Sequence, residues 1–214
     1  MISSLTYGSI NAGIWSRVPP ESRRFLDVGC GTGVLGHALK RSQPDRYVVG
    51  ITHSVQEAAE ARAVLDQVVV KDLESCSFDD LGLFDCVICS HVLEHLRNPD
   101  QVLSRLKSVL APGGTLLIAL PNVLHWRQRL QFLAGRFRYT RGGLMDSTHV
   151  VFFDWTTARQ LVSEAGLRLV SSAAEGGIPG ARLLGALGPV LSAAGLRVVP
   201  GLLATQFVLV AGTS

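Results

Sequence analysis

The chain has 214 residues and a mass of 22.9 kDa, with 47% hydrophobic and 17% charged residues. That length and apolar content fit one globular domain and exclude a largely disordered chain, while a net charge of +3 is too weakly basic to indicate nucleic acid. No stretch approaches the ~18 uninterrupted apolar residues of a spanning helix, and the polar segment Met1 to Asn11 has neither the basic nor the apolar region of a signal peptide, so a cytoplasmic protein is expected.

In chain order, Arg24–Val28 reads as a short strand that runs into glycines, and Gly33–Arg41 has helical spacing. Tyr47–Ile51 is a second strand, Val55–Leu65 an alanine-rich helix, and Gln67–Val70 a third strand. Phe84–Cys89 is the fourth strand, followed by a helix over Asp100–Leu110 that Ala111-Pro-Gly-Gly114 should stop. Thr115–Leu120 is the fifth strand. Nearly continuous apolar strands alternating with helices imply a parallel sheet covered on both faces. Beyond Pro121 the rhythm changes: helices are expected over Val123–Ala134 and Thr156–Ala165, and strands over Leu167–Ser171 and Gln206–Val210. The fold class is therefore α/β, a seven-stranded sheet with helices on both faces. It forms a single domain over residues 1–214, with an insert at about 122–155 and an apolar connection at about 176–204 before the last strand. Core packing is the default for that connection; covering a sheet edge, a homodimer contact or a membrane surface are the alternatives.

Cys86-Val-Ile-Cys89 has the C-x-x-C spacing, but residues three apart on a strand point to opposite faces. These cysteines should therefore share neither a metal nor a disulfide, and all four are expected to be reduced.

The strongest local signal is Phe25-Leu-Asp-Val-Gly-Cys-Gly-Thr-Gly-Val-Leu-Gly36, a strand, a glycine turn and a helix start. Glycine lets the backbone approach a ligand closely, and a helix N-terminus offers unpaired N–H groups. Gly31-x-Gly33-x-x-Gly36 matches the dinucleotide fingerprint, yet the turn already begins at Gly29. Asp27 at the strand tip would repel a pyrophosphate and suits a ligand carrying an ammonium and a sulfonium, which argues against a nicotinamide dehydrogenase.

Leu26-Asp-Val-Gly-Cys-Gly-Thr-Gly33 resembles motif I of the class I S-adenosylmethionine-dependent methyltransferases. Lys71-Asp72-Leu73, Phe84-Asp-Cys-Val-Ile-Cys-Ser-His-Val-Leu-Glu-His-Leu96 and Leu110-Ala-Pro-Gly-Gly-Thr-Leu116 resemble the family's later motifs, in order. Leu120-Pro-Asn-Val-Leu-His-Trp-Arg-Gln-Arg-Leu130 and the run from Gly135 to Phe153 are similar to a bacterial branch that includes MetW-like proteins and methyltransferases of sugar and polysaccharide pathways. The resemblance implies a Rossmann-like, mostly parallel sheet and an S-adenosyl-L-methionine cofactor held by Asp27, Gly29 and Gly31, with Asp72 and Leu73 at the adenine. Ser90 and His91 would border the methionine half, because ligands lie outside the carboxyl ends of the strands. The family's usual acid at the end of strand 2 is missing; Gly50-Ile-Thr-His-Ser54 is similar instead to the cyclopropane and mycolic acid synthase branch. Thr52 and Glu57, with Gln56 nearby, are expected to take over the ribose.

His91-Val-Leu-Glu94-His95 also satisfies H-x-x-E-H, an inverted zinc-protease signature. If the segment were helical, His91 and His95 would share a face, but zinc needs a third protein ligand. Inside this frame no metal is expected. For the acceptor, His149 is the candidate general base with Asp146 orienting it, the alternative being that both cap and pin the insert. Arg127, Arg129, Arg136, Arg138 and Arg141, interleaved with Trp126, Phe132, Phe137 and Tyr139, suit an anionic small-molecule acceptor such as a sugar nucleotide or lipid-linked saccharide, or form a solvated basic face. The expected function is O-methylation of a sugar or other small metabolite. The alternative is a MetW-like accessory protein that acts through a partner enzyme.

Overall fold

The computed structural model describes residues 9–213, so most of the polar segment Met1 to Asn11 lies outside the described residues. A four-residue helix, α1 (Ala12–Trp15), precedes β1 (Arg24–Val28), α2 (Val34–Ser42), β2 (Tyr47–Thr52), α3 (Val55–Ala61), β3 (Gln67–Val70) and β4 (Phe84–Ser90). Then come α4 (Pro99–Leu106), β5 (Leu110–Pro121), α5 (Trp126–Leu133), α6 (Trp155–Glu164), β6 (Arg168–Gly176), α7 (Leu187–Val198), α8 (Pro200–Leu203) and β7 (Ala204–Gly212). The sheet order is β3-β2-β1-β4-β5-β7-β6, with β7 antiparallel to both of its neighbours and the other pairings parallel. This is the seven-stranded, mostly parallel architecture that the sequence implies.

The apolar strands are buried on both faces because helices cover both. Phe25, Val48, Cys86, Ile88 and Leu117 pack with Ile14, Leu39, Ala61 and Leu65. Leu26, Val49, Val87, Cys89 and Leu116 pack with Val102, Leu106, Leu161 and Val162 on the other side. Cys86 and Cys89 thus lie in different halves of the core, as the period of two requires, and all four cysteines are free thiols.

Several elements depart from expectation. Helix α3 ends at Ala61, not Leu65, because the chain turns so that Val64 and Leu65 pack against the glycines of the first two strands and turns; an added Cβ would stand 3.0 Å from Val64 at Gly33 and 2.6 Å from Leu65 at Gly50. Helix α4 stops at Leu106, a single tighter turn spans Lys107–Val109, and β5 already begins at Leu110. Pro112 is tolerated in that strand because the register with β4 is irregular there, so its missing N–H breaks no regular ladder. The connection before β7 contains α7, which buries only Gly188 and Ser192. Leu183, Leu187, Val190 and Val198 are exposed, so core packing is not what this segment mainly does.

Gly50 is a direct stability test. A Cβ there would meet Leu65 Cδ1 at 2.6 Å and Cys30 Sγ at 2.7 Å, both from buried residues. Gly50→Ala is expected to destabilise the fold by about 1–3 kcal/mol, read as a lower urea midpoint with an unchanged slope.

Candidate active site

β1 delivers Asp27 and then a turn in which Gly29, Gly31 and Gly33 have φ of 73°, 52° and 85°. These left-handed values are open to glycine at little cost. A Cβ on Gly29 would meet Val92 Cγ2 at 2.8 Å, so that glycine also serves the protein's own packing. A Cβ on Gly31 would meet nothing within 4 Å, which makes its backbone an open cradle. Asp27 is buried, its Oδ2 has no hydrogen-bond partner, and burial pushes its pKa up to about 7. An unpartnered buried carboxyl beside an open glycine turn fits the ammonium of an amino-acid-bearing ligand.

At the end of β2, Thr52 Oγ1 donates to Glu57 Oε2 at 2.7 Å. Ser54, the N-cap of α3, sets this up: its side chain accepts from the Glu57 N–H and starts the helix with Glu57 in its first turn. Thr52 and Glu57 therefore come together, and here they satisfy each other. After β3, Asp72 is occupied within its own turn by the Glu74 N–H at 3.0 Å and the Ser75 hydroxyl at 3.1 Å, and Leu73 is buried beside it.

β4 ends at Ser90, and His91 takes φ 54°, the one non-glycine residue with positive φ among those described. That conformation costs about 1–2 kcal/mol and is held from several sides. The His91 N–H donates to Ala119 O, ring Nε2 lies 2.7 Å from Gln206 Oε1, and Nδ1 lies 3.3 Å from Glu94 Oε1. Gln206 is oriented in turn, since its Nε2 donates to Glu175 Oε2 and Asn11 Oδ1. Both ring nitrogens of His91 thus face acceptors. Burial disfavours the charge, but the bonds to Glu94 and Gln206 outweigh it and raise the pKa. Asn11 also reaches Ser90 Oγ at 3.5 Å, which ties the start of α1 to the tip of β4. Asn11 and Gln206 were not among the residues picked from the sequence. They are 195 positions apart, and no local pattern marks either.

The insert brings the remaining groups. Thr148 donates to Asp146 Oδ1 through both its N–H (2.8 Å) and its hydroxyl (2.6 Å), and these bonds, against the effect of burial, lower the Asp146 pKa. No hydrogen bond joins the Asp146 carboxylate to the His149 ring among the described residues, so Asp146 does not orient His149 in the expected way. The carboxylate facing that ring is Glu94, whose Oε1 is 4.0 Å from His149 Nε2. Glu94 is 1% exposed, and its Oε2 has no partner. Its backbone carbonyl accepts from the N–H groups of Val150 and Val151, which fastens the insert to the turn after β4. Burial, reinforced by the nearby His95, lowers the His149 pKa against the pull of Glu94 and Asp146, so this ring is neutral near pH 7. Leu93–His95 is only one tight turn, not a helix, so His91 and His95 do not share a helical face.

The five arginines of the insert are exposed. Arg127 lies over the Trp126 ring, and Phe132, Phe137 and Tyr139 form a chain of ring contacts with 5.5 Å between successive centroids. His125, the N-cap of α5, is buried, and burial with the Arg127 charge lowers its pKa.

Residues 12–172 match a family model described as a methyltransferase domain. The ubiquinone biosynthesis O-methyltransferase of Xanthomonas axonopodis pv. citri is 29% identical over 111 residues, which cover 50% of this chain and 46% of that protein; the match thus spans less than half of the relative's length. Among solved structures, a SAM dependent methyltransferase from Archaeoglobus fulgidus superposes with a TM-score of 0.62 at 19% identity, covering 89% of this chain and 86% of that one. The plantazolicin methyltransferase BpumL in complex with SAH superposes with a TM-score of 0.60 at 17% identity, covering 90% and 77%. At these identities the structural likenesses show the fold.

Proposed function

We propose, for a chain that belongs to the methyltransferase-domain family, that it transfers a methyl group from S-adenosylmethionine to an oxygen of a small acceptor. Bound S-adenosylmethionine would supply a methyl group on a sulfonium, an electrophile that needs only alignment with a nucleophile. The chain's own residues divide the work of holding it. Asp27 takes the ammonium, the Gly29 to Gly31 backbone lies along the ligand, Thr52 and Glu57 bind the ribose hydroxyls, Asp72 and Leu73 contact the adenine, and Ser90 and His91 border the methionine side. Holding two reactants in a near-attack arrangement is the largest part of such catalysis.

The observation that carries the oxygen acceptor is the meeting of Glu94 and His149 just past the C-terminal end of β4. A neutral histidine facing a buried carboxylate can accept a hydroxyl proton, and the carboxylate stabilises the imidazolium that results. Asp146 acts on the same segment from a distance by fixing Thr148. The relative named as a ubiquinone biosynthesis O-methyltransferase supports the same class of acceptor atom. The exposed arginines beside the insert favour an anionic acceptor, such as a sugar nucleotide or lipid-linked saccharide. No helix among the described residues is long and apolar enough to cross a membrane.

The test is turnover of S-adenosylmethionine against a panel of phenolic, sugar and carboxylate acceptors, followed as S-adenosylhomocysteine release with mass spectrometry of the product. The expected result is an O-methyl product, with kcat lowered about 10²- to 10⁴-fold in His149→Ala. Methylation on nitrogen or carbon would overturn the acceptor assignment. Tight cofactor binding with no turnover on any acceptor would move the accessory-protein reading to first place.

A further inference from the structure

We propose that Glu94, His95 and His149 form a binding site for one divalent transition-metal ion, in the class of Zn²⁺, Mn²⁺ or Fe²⁺. This departs from the expectation of no metal, which rested on the lack of a third ligand for the H-x-x-E-H motif. The fold supplies that ligand from the insert. One donor atom from each of the three side chains lies within 4.8 Å of the others. Donors around an ion at ~2.0–2.2 Å stand roughly 3–3.5 Å apart, so binding needs a contraction of up to about 1.5 Å.

Four observations make this more than a chance grouping. Glu94 is almost wholly buried, yet its Oε2 has no partner, which leaves a buried polar oxygen unsatisfied. His95 Nδ1 lies 3.2 Å from Thr148 O and 3.0 Å from Thr148 Oγ1. An Nδ1–H donated to that carbonyl leaves Nε2 with a free lone pair, the usual way a ligating imidazole is oriented from behind. Asp146 holds Thr148 through two bonds and so acts as the outer support of the same ligand. Finally, the two N–H donations to Glu94 O lock the insert onto the turn, so the grouping is built by backbone and does not depend on the side chains meeting. Two imidazoles and one carboxylate are borderline donors that favour transition metals over Mg²⁺, which prefers oxygen and keeps its waters. Three protein ligands leave coordination positions open, as in catalytic sites.

The proposal deepens the reading of this cluster as the acceptor side. An ion here would bind the acceptor hydroxyl and lower its pKa, and His149 would act as a ligand in place of a free base. The experiment is independent of methyl transfer. Protein stripped with chelator and exchanged into metal-free buffer is titrated calorimetrically with Zn²⁺, Mn²⁺ and Mg²⁺, with no acceptor or cofactor present. The expected result is one Zn²⁺ or Mn²⁺ per chain, no comparable Mg²⁺ binding, and at least a ~100-fold weakening in His149→Ala and in His95→Ala. His37→Ala, on an exposed part of α2, should bind as wild type does. Calorimetry with S-adenosylhomocysteine and the thermal melt show that each variant is folded; if His149→Ala is not, His149→Gln replaces it. Co²⁺ spectra add a second readout, since cysteine ligation gives a thiolate charge-transfer band that this site must lack. No transition-metal binding, binding unaffected by both histidine variants, or a thiolate band would each overturn the proposal. Turnover that persists in chelator would at the same time leave His149 as the base and the methyl-transfer reading intact.

Discussion

Gly31→Arg is expected to abolish S-adenosylhomocysteine binding while leaving a folded protein. The separation of the two effects comes from the geometry of the turn. Gly31 has φ 52°, so any side chain costs about 1–2 kcal/mol there, which a domain with the usual 5–15 kcal/mol of stability survives. A Cβ at this position has no protein atom within 4 Å, so the substituent projects into the space where a ligand would lie against the backbone. At Gly29, by contrast, a Cβ would strike Val92, and a substitution would confound binding with folding. Calorimetry on wild type and variant, with NADH as a control ligand, decides the matter. Micromolar binding lost in the variant, with an unchanged cooperative melt, is the expected outcome. Undiminished binding in Gly31→Arg would mean that the ligand does not use this turn, and NADH binding would return the dinucleotide reading.

The first five strands are legible because each carries a short apolar run, and in all but the edge strand β3 that run is buried on both faces. Their ends were less legible. Leu110 to Gly114 joins β5 although it contains Pro112 and two glycines: Leu110 pairs with Phe84, the register then shifts, and regular pairing resumes at Thr115. Helix α7 was missed for the opposite reason. Its apolar content suggested burial, but Leu187, Val190 and Val198 face outward.

The site divides along the same line. Asp27, Gly29, Gly31, Thr52 and Glu57 stand out in the sequence because the proposed cofactor side is made from strand ends and the turns that follow them. The proposed acceptor side is assembled from segments far apart in the chain. Asp146 looks like the partner of His149 through sequence proximity alone, whereas its Oδ1 accepts both bonds from Thr148 and the carboxylate facing the ring comes from Glu94. The H-x-x-E-H spacing presumes a helix, whereas the strained exit from β4 at His91 turns that ring toward Gln206. Only the fold could show that Glu94 and His95 meet a third group from the insert.

The pH dependence of cofactor affinity should single out Asp27. Its folded-state pKa is about 7 because burial disfavours the charge, whereas an unfolded aspartate ionises near 3.9. Between those values the folded chain carries a proton that the unfolded chain has lost. Stability is therefore greatest below about pH 4, falls as pH rises toward 7, and stays reduced above it, by roughly 4 kcal/mol at most from this group. A ligand ammonium reverses the preference, because it pairs with the ionised carboxylate. Binding must then expel the proton below pH 7 and need not above it, so affinity for S-adenosylhomocysteine should rise about tenfold from pH 6 to pH 8 and level off beyond. In Asp27→Asn the slope should vanish and affinity should fall at pH 8, where the wild-type carboxylate is charged. The same variant should flatten the stability profile between pH 5 and 8, which ties both effects to one proton. A wild-type affinity that does not change over this range, or a slope that persists in Asp27→Asn, would remove Asp27 from the ammonium site and shift attention to the other titrating groups around the cleft, His91 first among them.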